Sequence, residues 1–149
     1  MEAIIQYFES IGFSAHQSGS VAACFKQINL NKGDYFVKEG KKSSQIGFLE
    51  SGQLQYFSIT DSGEERTTYF SLPNSFVASL LAYLTDAPAR ENIRAVNPVS
   101  IWVIEKKDVL VLLEEMKAFK DFYIKLIEWQ ICCIDKAKFD LITLTAEQR

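Results

Sequence analysis

The sequence predicts a mainly β fold with flanking helices, because a long stretch with the pattern of short strands lies between two stretches with helical patterns. Between residues 27 and 105, short apolar–polar alternations are separated by turn signals about every ten residues, which is typical of an antiparallel roll, barrel or sandwich. Residues 119–139 contain neither glycine nor proline and predict a helix roughly 30 Å long. Residues 1–26 predict two short helices, the second capped by Ser18 or Ser20.

Composition and charge indicate one folded domain in a reducing compartment. Apolar residues make up 48% of the 149-residue chain, which is enough to build a core. The three cysteines form no Cys-x-x-Cys motif, no run reaches about 18 apolar residues, and the first residues carry no basic segment. We therefore expect a cytoplasmic protein without a membrane partner. The net charge of −3 counts against nucleic-acid binding by these residues, since phosphate neutralisation supplies much of such affinity.

Four glycines, Gly33, Gly40, Gly52 and Gly63, each stand at a turn between two apolar alternations of the β segment. Such turns often need a positive φ, which glycine adopts without a Cβ penalty. The last of these turns, at residues 61–63, predicts a tight hairpin. In contrast, the leucine- and alanine-rich stretch that follows residue 76 predicts one short helix, which ends at the Asp-Ala-Pro sequence of residues 86–88.

The C-terminal third predicts a helix with an N-cap at Asp108, followed by the long helix. The apolar residues of the long helix form two stripes. One stripe, spaced as in a coiled-coil seam, contains Phe119, Phe122, Leu126, Trp129 and Cys133. The other contains Ile124, Ile127, Ile131 and Ile134. A helix that is apolar on two faces needs two partners, so we expect the first stripe to form a homodimer interface and the β segment to cover the other. The alternative is one broad buried stripe within a monomer.

These elements together resemble the Crp/Fnr family and the wider cyclic-nucleotide-binding domains. The residues that carry the resemblance are Lys32-Gly33-Asp34, Glu39-Gly40, the stretches 48–54, 61–65 and 76–90, and the long final helix with residues 144–149. The resemblance implies an antiparallel double-stranded β-roll, jelly-roll-like, with a C-terminal dimerisation helix. The implied segments are N-terminal helices at 1–26, a β-roll effector-binding domain at 27–107, C-terminal helices at 108–140, and at 141–149 the start of a helix-turn-helix domain that the chain lacks.

The resemblance also implies a ligand site at the start of the short helix. There the family holds a phosphate with a Gly-Glu pair, an arginine and a following Ser or Thr. Arg90 matches the arginine, whereas Ala78, Ser79 and Glu91 stand where Gly, Glu and Ser or Thr are expected. The implied ligand-binding residues are Ala78, Ser79, Leu80, Arg90, Glu91 and Asn92. An anionic ligand requires that Glu91 point away from it.

Three states of this site remain open at the level of sequence. In the first, the ligand is cyclic AMP. In the second, it is another small effector, which is anionic if Arg90 binds it. In the third, the roll is empty and acts structurally. Arg90 has its own alternative, a surface arginine paired with Glu91 or Asp86, and Arg94 is a weaker candidate for the ligand role.

Catalysis and metal binding lack the residues that they need. His16 is the only histidine, so no His-based triad is supported, and the three cysteines do not cluster as a zinc or iron–sulfur site requires. We therefore expect no enzyme and no metal, but effector sensing and dimerisation for a transcription regulator whose DNA contacts lie in a further domain. The alternatives are a stand-alone small-molecule-binding β-roll module that regulates a partner protein, and a cupin-like barrel, for which metal-binding histidines would be expected.

Overall fold

The computed structural model describes residues 1–145 and 147–148. Two helices come first, eight strands follow with a third helix between the sixth and seventh, and two helices end the chain. The elements are α1 (Glu2–Ser10), α2 (Ala15–Ala22), β1 (Lys26–Leu30), β2 (Tyr35–Val37), β3 (Gln45–Ser51), β4 (Leu54–Ile59), β5 (Glu65–Ser71), β6 (Ser75–Val77), α3 (Leu80–Thr85), β7 (Asn92–Ala95), β8 (Val99–Glu105), α4 (Lys106–Glu115) and α5 (Lys117–Thr143).

The strands form two four-stranded antiparallel sheets, which confirms the predicted β-roll. The first sheet has the order β1-β8-β3-β6 and the second the order β2-β7-β4-β5. Apolar side chains from both sheets share one buried cluster, to which the first sheet contributes Leu49 and Ile101 and the second Leu54 and Ile93. The interior of the roll is therefore mainly hydrocarbon, and burial of these side chains is the main force that holds the sheets together.

The N-terminal helices precede the roll as predicted, but the cap of α2 differs from the prediction. Ser14, and neither Ser18 nor Ser20, caps α2 through a capping box with Gln17, because a serine three residues before a glutamine satisfies two free backbone N–H groups at once. Aromatic rings join α1 to the first sheet: the ring centres of Tyr7 and Phe48 lie 5.1 Å apart.

The chain divides into two compact units, Met1–Val109 and Leu110–Arg149. Helix α4 begins earlier than the predicted cap at Asp108, which lies in its first turn, where a carboxylate favours the helix dipole. Residues 141–143 belong to α5, so the predicted new segment does not start there. Within the segment 141–149, where the start of a helix-turn-helix domain is predicted, the Gln148 backbone N–H donates to the Thr145 carbonyl at 3.1 Å. Ala146 and Arg149 lie outside the described residues. Within residues 1–145 and 147–148, no helix is long and apolar enough to cross a membrane.

Gly52, in the turn between β3 and β4, tests how closely that turn packs against the chain just before β8. Its φ is +88°, and a Cβ added there would lie 2.4 Å from the Pro98 carbonyl oxygen. We expect Gly52→Ala to lower the free energy of unfolding by about 2–5 kcal/mol, since the left-handed backbone costs roughly 1–2 kcal/mol and overpacking adds about 1–3 kcal/mol. Urea unfolding measures the loss. The control, Gly63→Ala, shares the positive φ but meets no atom within 4 Å, and an equal loss in both variants would contradict the close approach at Gly52.

Candidate ligand-binding site

The chain that leads into β7 places two of the predicted ligand residues, Arg90 and Glu91. Ala89 exchanges two backbone hydrogen bonds of 2.8 Å with residues 40–41, so pairing starts before the strand itself. The residues of this stretch that belong to the buried core are Ala89, Ile93 and Ala95. Residues 90 and 91 form a bend just before the strand, where Glu91 is half-buried and Arg90 is exposed.

Glu91 lies in a small polar group within the otherwise apolar roll, which we call the Glu91 cluster and define as Tyr56, Ser71, Ala78, Ser79 and Glu91. The Ser79 hydroxyl donates a hydrogen bond to the Glu91 carboxylate. The Tyr56 phenol lies near that carboxylate and is hydrogen-bonded by the backbone of Ala78. Ser71 is fully buried, and its hydroxyl lies beside Tyr56 without a partner in good hydrogen-bond geometry.

Burial raises the pKa of both titratable groups of the Glu91 cluster. It raises the pKa of the Glu91 carboxyl, and the hydrogen bond from Ser79 offsets part of that rise. It also raises the pKa of the Tyr56 phenol, so the phenol stays protonated in the physiological range. Both shifts have the cause expected of a group that leaves water without a cation beside it.

Arg90, the predicted partner of a ligand anion, does not join the Glu91 cluster. Within the described residues it makes no hydrogen bond or ion pair for which the structure gives a distance, and neither predicted pairing occurs. The Glu91 carboxylate instead accepts a hydrogen bond from Ser79, and the Asp86 carboxylate forms an ion pair with Lys106 at 2.9 Å. The role of Arg90 toward a ligand therefore stays a prediction.

The other predicted ligand residues lie in three places: Ala78 belongs to the Glu91 cluster, Leu80 begins α3, and Asn92 contacts the turn after β2. Ala78 and Leu80 are half-buried at the start of α3. Asn92 is 3% exposed, and its carboxamide oxygen accepts a hydrogen bond of 2.9 Å from the Glu39 backbone N–H. The Asn92 side chain thus holds a turn in place, and a ligand role for it also stays a prediction.

Sequence reasoning missed Tyr56 and Ser71. The signal for Tyr56 was present, because alternation from the buried Leu54 places Tyr56 on the same inner face. Ser71 carried no such signal, because every other residue of β5 is exposed and only the sheet register places Ser71 opposite Leu54.

Arg94, the weaker candidate, lies beside a surface concavity of about 320 Å³ whose lining includes Lys32, Tyr35 and Gln55. Its guanidinium binds both carboxylate oxygens of Glu65, at 3.0 and 2.8 Å, and stacks 4.3 Å from the centre of the Phe57 ring. Arg94 is therefore engaged by its own chain.

Helix α5 exposes much of its apolar surface. Ile131 is 57% and Trp129 58% exposed, and the other strongly exposed apolar residues are Ile124, Ile134, Phe139, Leu141 and Ile142. Phe119, in contrast, is only 3% exposed, and its ring centre lies 5.8 Å from that of Phe122. The predicted interface stripe therefore needs correction at Phe119, whose side chain is already buried within a single chain. Phe122 and Leu126 are half-buried, and Cys133 is exposed.

Comparison with known proteins gives one family match. The model of the cyclic nucleotide-binding domain matches residues 27–116. Over 48 residues the chain is 42% identical to the transcriptional activator protein Anr of Pseudomonas aeruginosa, a match that covers 32% of this chain and 20% of that protein. The activator FnrA of Stutzerimonas stutzeri matches with the same identity and coverage. The matched segment thus spans about a fifth of the length of these curated relatives.

Solved structures share the fold at low sequence identity. A cyclic nucleotide-binding domain from Methylobacillus flagellatus superposes with a TM-score of 0.80 at 14% identity, over 95% of this chain and 81% of that one. The catabolite activator protein of Thermus thermophilus gives 0.76 at 17% identity, over 89% and 61%. The sensor domain of the regulator DNR from Pseudomonas aeruginosa gives 0.72 at 17% identity, over 97% and 94%.

The raised pKa of Glu91 predicts how its replacement changes stability with pH. The folded state holds the Glu91 proton more tightly than the unfolded state, so wild-type stability falls as pH rises above the unfolded value of 4.5 and then levels off. We expect Glu91→Gln to raise the free energy of unfolding at neutral pH, with a gain that shrinks on acidification below the unfolded value. Urea unfolding across this range measures the difference.

Glu65→Gln is the control of opposite sign. A hydrogen bond with Arg94 lowers the pKa of Glu65, so its stabilising effect is present at neutral pH and is lost as pH falls through the lowered folded pKa. This variant should lose stability at neutral pH and match the wild type in acid. If both variants showed the same pH profile, the assignment of Glu91 to the interior would be wrong.

Proposed function

Because the chain belongs to the cyclic nucleotide-binding domain family, we propose that it is the effector-sensing and dimerisation domain of a Crp/Fnr-type transcription regulator. The observation that carries the proposal is the exposed apolar surface of α5, since exposed patches of this kind mark sites of association. The Glu91 cluster supports the sensing part, because polar groups in an apolar interior give a small ligand a place to be recognised. The regulator contacts DNA through a further domain.

The contacts of Lys106 suggest how a ligand would act on the C-terminal helices. Lys106 is the first residue of α4, and its ammonium donates to Asp86 at 2.9 Å and lies 5.6 Å from the centre of the Tyr83 ring. Asp86 is the C-cap of α3. A ligand that displaces α3 would therefore move the start of α4, and we propose that this movement changes the pairing of two α5 helices.

The interface that we propose is the isoleucine stripe of α5, Ile124, Ile127, Ile131 and Ile134, and no longer the stripe that begins at Phe119. The isoleucines have the spacing of a coiled-coil seam, and all but Ile127 are strongly exposed. A two-fold pair of helices would bury the same stripe on both copies.

We expect a homodimer at tens of micromolar protein, which Ile131→Asp should dissociate because it places a charge in an apolar seam. Sedimentation velocity measures the assembly state. Leu126→Asp, on the stripe first predicted from the sequence, should have the smaller effect, and the control Cys132→Asp, also at an exposed position of α5, should leave the dimer intact. A monomeric wild type would contradict the proposal, and a dimer broken only by Leu126→Asp would restore the first stripe as the interface.

Cyclic AMP itself should bind weakly. Ser79 replaces the expected carboxylate, and loss of a charge-assisted hydrogen bond costs about 1.5–3 kcal/mol, so we expect a dissociation constant above roughly 10 μM. Isothermal titration calorimetry measures it. Sub-micromolar binding that Arg90→Ala abolishes would show that Ser79 substitutes for the carboxylate and that Arg90 holds the phosphate.

A further inference from the structure

We infer that the second sheet carries a further binding site on its surface, which takes a small planar aromatic molecule with one anionic group, such as an aromatic carboxylate. The site is the surface concavity of about 320 Å³ lined by residues 32–33, 35, 55 and 94–96, which we call the Arg94 concavity. It is separate from the Glu91 cluster and goes beyond the proposed function. Its volume lies at the small end of the range of ligand pockets, so it suits a ligand of one or two rings.

One wall of the Arg94 concavity is a row of side chains that the sheet register places side by side. Arg94 lies opposite Tyr35 of β2 and opposite Gln55 of β4. The Arg94 guanidinium donates to the Gln55 carboxamide oxygen at 3.0 Å, and the Gln55 carboxamide N–H donates to the Thr67 hydroxyl at 2.7 Å. Together with the contact to both Glu65 oxygens, these bonds fix the guanidinium plane before a ligand arrives. Preorganisation of this kind lowers the cost of binding.

The Arg94 guanidinium offers a ligand one of its two flat faces. Its carbon lies 4.3 Å from the centre of the Phe57 ring, and Phe57 is fully buried, so Phe57 covers the inner face. The Arg94 side chain is 25% exposed and lines the concavity, so a ligand reaches the opposite face. Guanidinium planes stack on aromatic rings through cation–π attraction, which indicates a planar aromatic ligand.

The charge of the ligand follows from Lys32. The Arg94 charge is already paired with Glu65, so it leaves little attraction for a further anion. Lys32 lines the concavity, and within residues 1–145 and 147–148 its ammonium forms no ion pair. The neighbouring Asp34 carboxylate instead accepts a hydrogen bond of 2.8 Å from the Asn31 backbone N–H. An anionic group on the ligand would supply the partner of Lys32 and orient the stacked ring.

Three probes test the inference: 2-naphthoate, its saturated analogue decahydro-2-naphthoate, and 2-naphthamidinium. The second lacks the planar rings of the first, and the third reverses its charge. Backbone amide signals followed by NMR during titration of the full chain report both place and affinity. We expect 2-naphthoate to shift the signals of residues 32–35, 55 and 94–96, with a dissociation constant of about 1 mM for a ligand of its size. The other two probes should bind about two- to fivefold more weakly, through loss of stacking or of the ion pair.

Two variants separate the stacking from the charge. Arg94→Lys keeps a cation beside Glu65 but removes the guanidinium plane, and Lys32→Gln removes the ammonium at an exposed position. Each should weaken 2-naphthoate about two- to fivefold, and Lys32→Gln remains informative if Arg94→Lys does not fold. The control Lys42→Gln, at an exposed lysine outside the concavity, should leave the affinity unchanged.

Four results would overturn the inference: no shift at about 10 mM 2-naphthoate, which is well above the expected dissociation constant, shifts confined to other residues, equal binding of the saturated analogue, or an affinity that Lys32→Gln leaves unchanged. The proposed function is measured separately, by calorimetry with cyclic AMP and by sedimentation of the unliganded protein. Its failure is therefore distinguishable from a failure of the Arg94 concavity.

Discussion

The backbone ladder of β7 is the constraint on which the candidate site depends. The strand pairs with β2 on one side and with β4 on the other, so its register is held from both edges. Since the side-chain period of a strand is two, a shift of one residue would exchange its inner and outer faces. The buried Ile93 and Ala95 make that shift expensive, and the same register fixes the place of the bend at residues 90–91, which contains Glu91.

The register of β7 belongs to the fold, and it does not decide which ligand the site binds. A roll of this shape leaves the ligand open, because one architecture accommodates many ligands and function is decided by particular side chains. At this place Arg90 is exposed, whereas Glu91 is half-buried and accepts a hydrogen bond from Ser79. The same unit holds α3 close to the start of α4 through Lys106 and Asp86.

More of the fold than of the candidate site could be predicted from the sequence. Turn glycines, strand alternation and the uninterrupted final helix are local signals, and each of the four predicted turn glycines has a positive φ. The orientations of Arg90 and Glu91 are not local, because they depend on which neighbours pair with the chain before β7. The role of Phe119 was likewise decided by burial within the folded chain, which two apolar stripes of similar strength do not predict.

The orientation of Glu91 is tested most directly by carbon-detected NMR of side-chain carboxyl groups during a pH titration, combined with NOE contacts from the Glu91 methylenes. The Glu91 carboxyl should titrate with a pKa above the usual value of a glutamate, and its methylenes should show contacts to the Tyr56 ring and to Ser79. A Glu91 carboxyl without a raised pKa and without contact to Tyr56 would contradict its place beside these two residues.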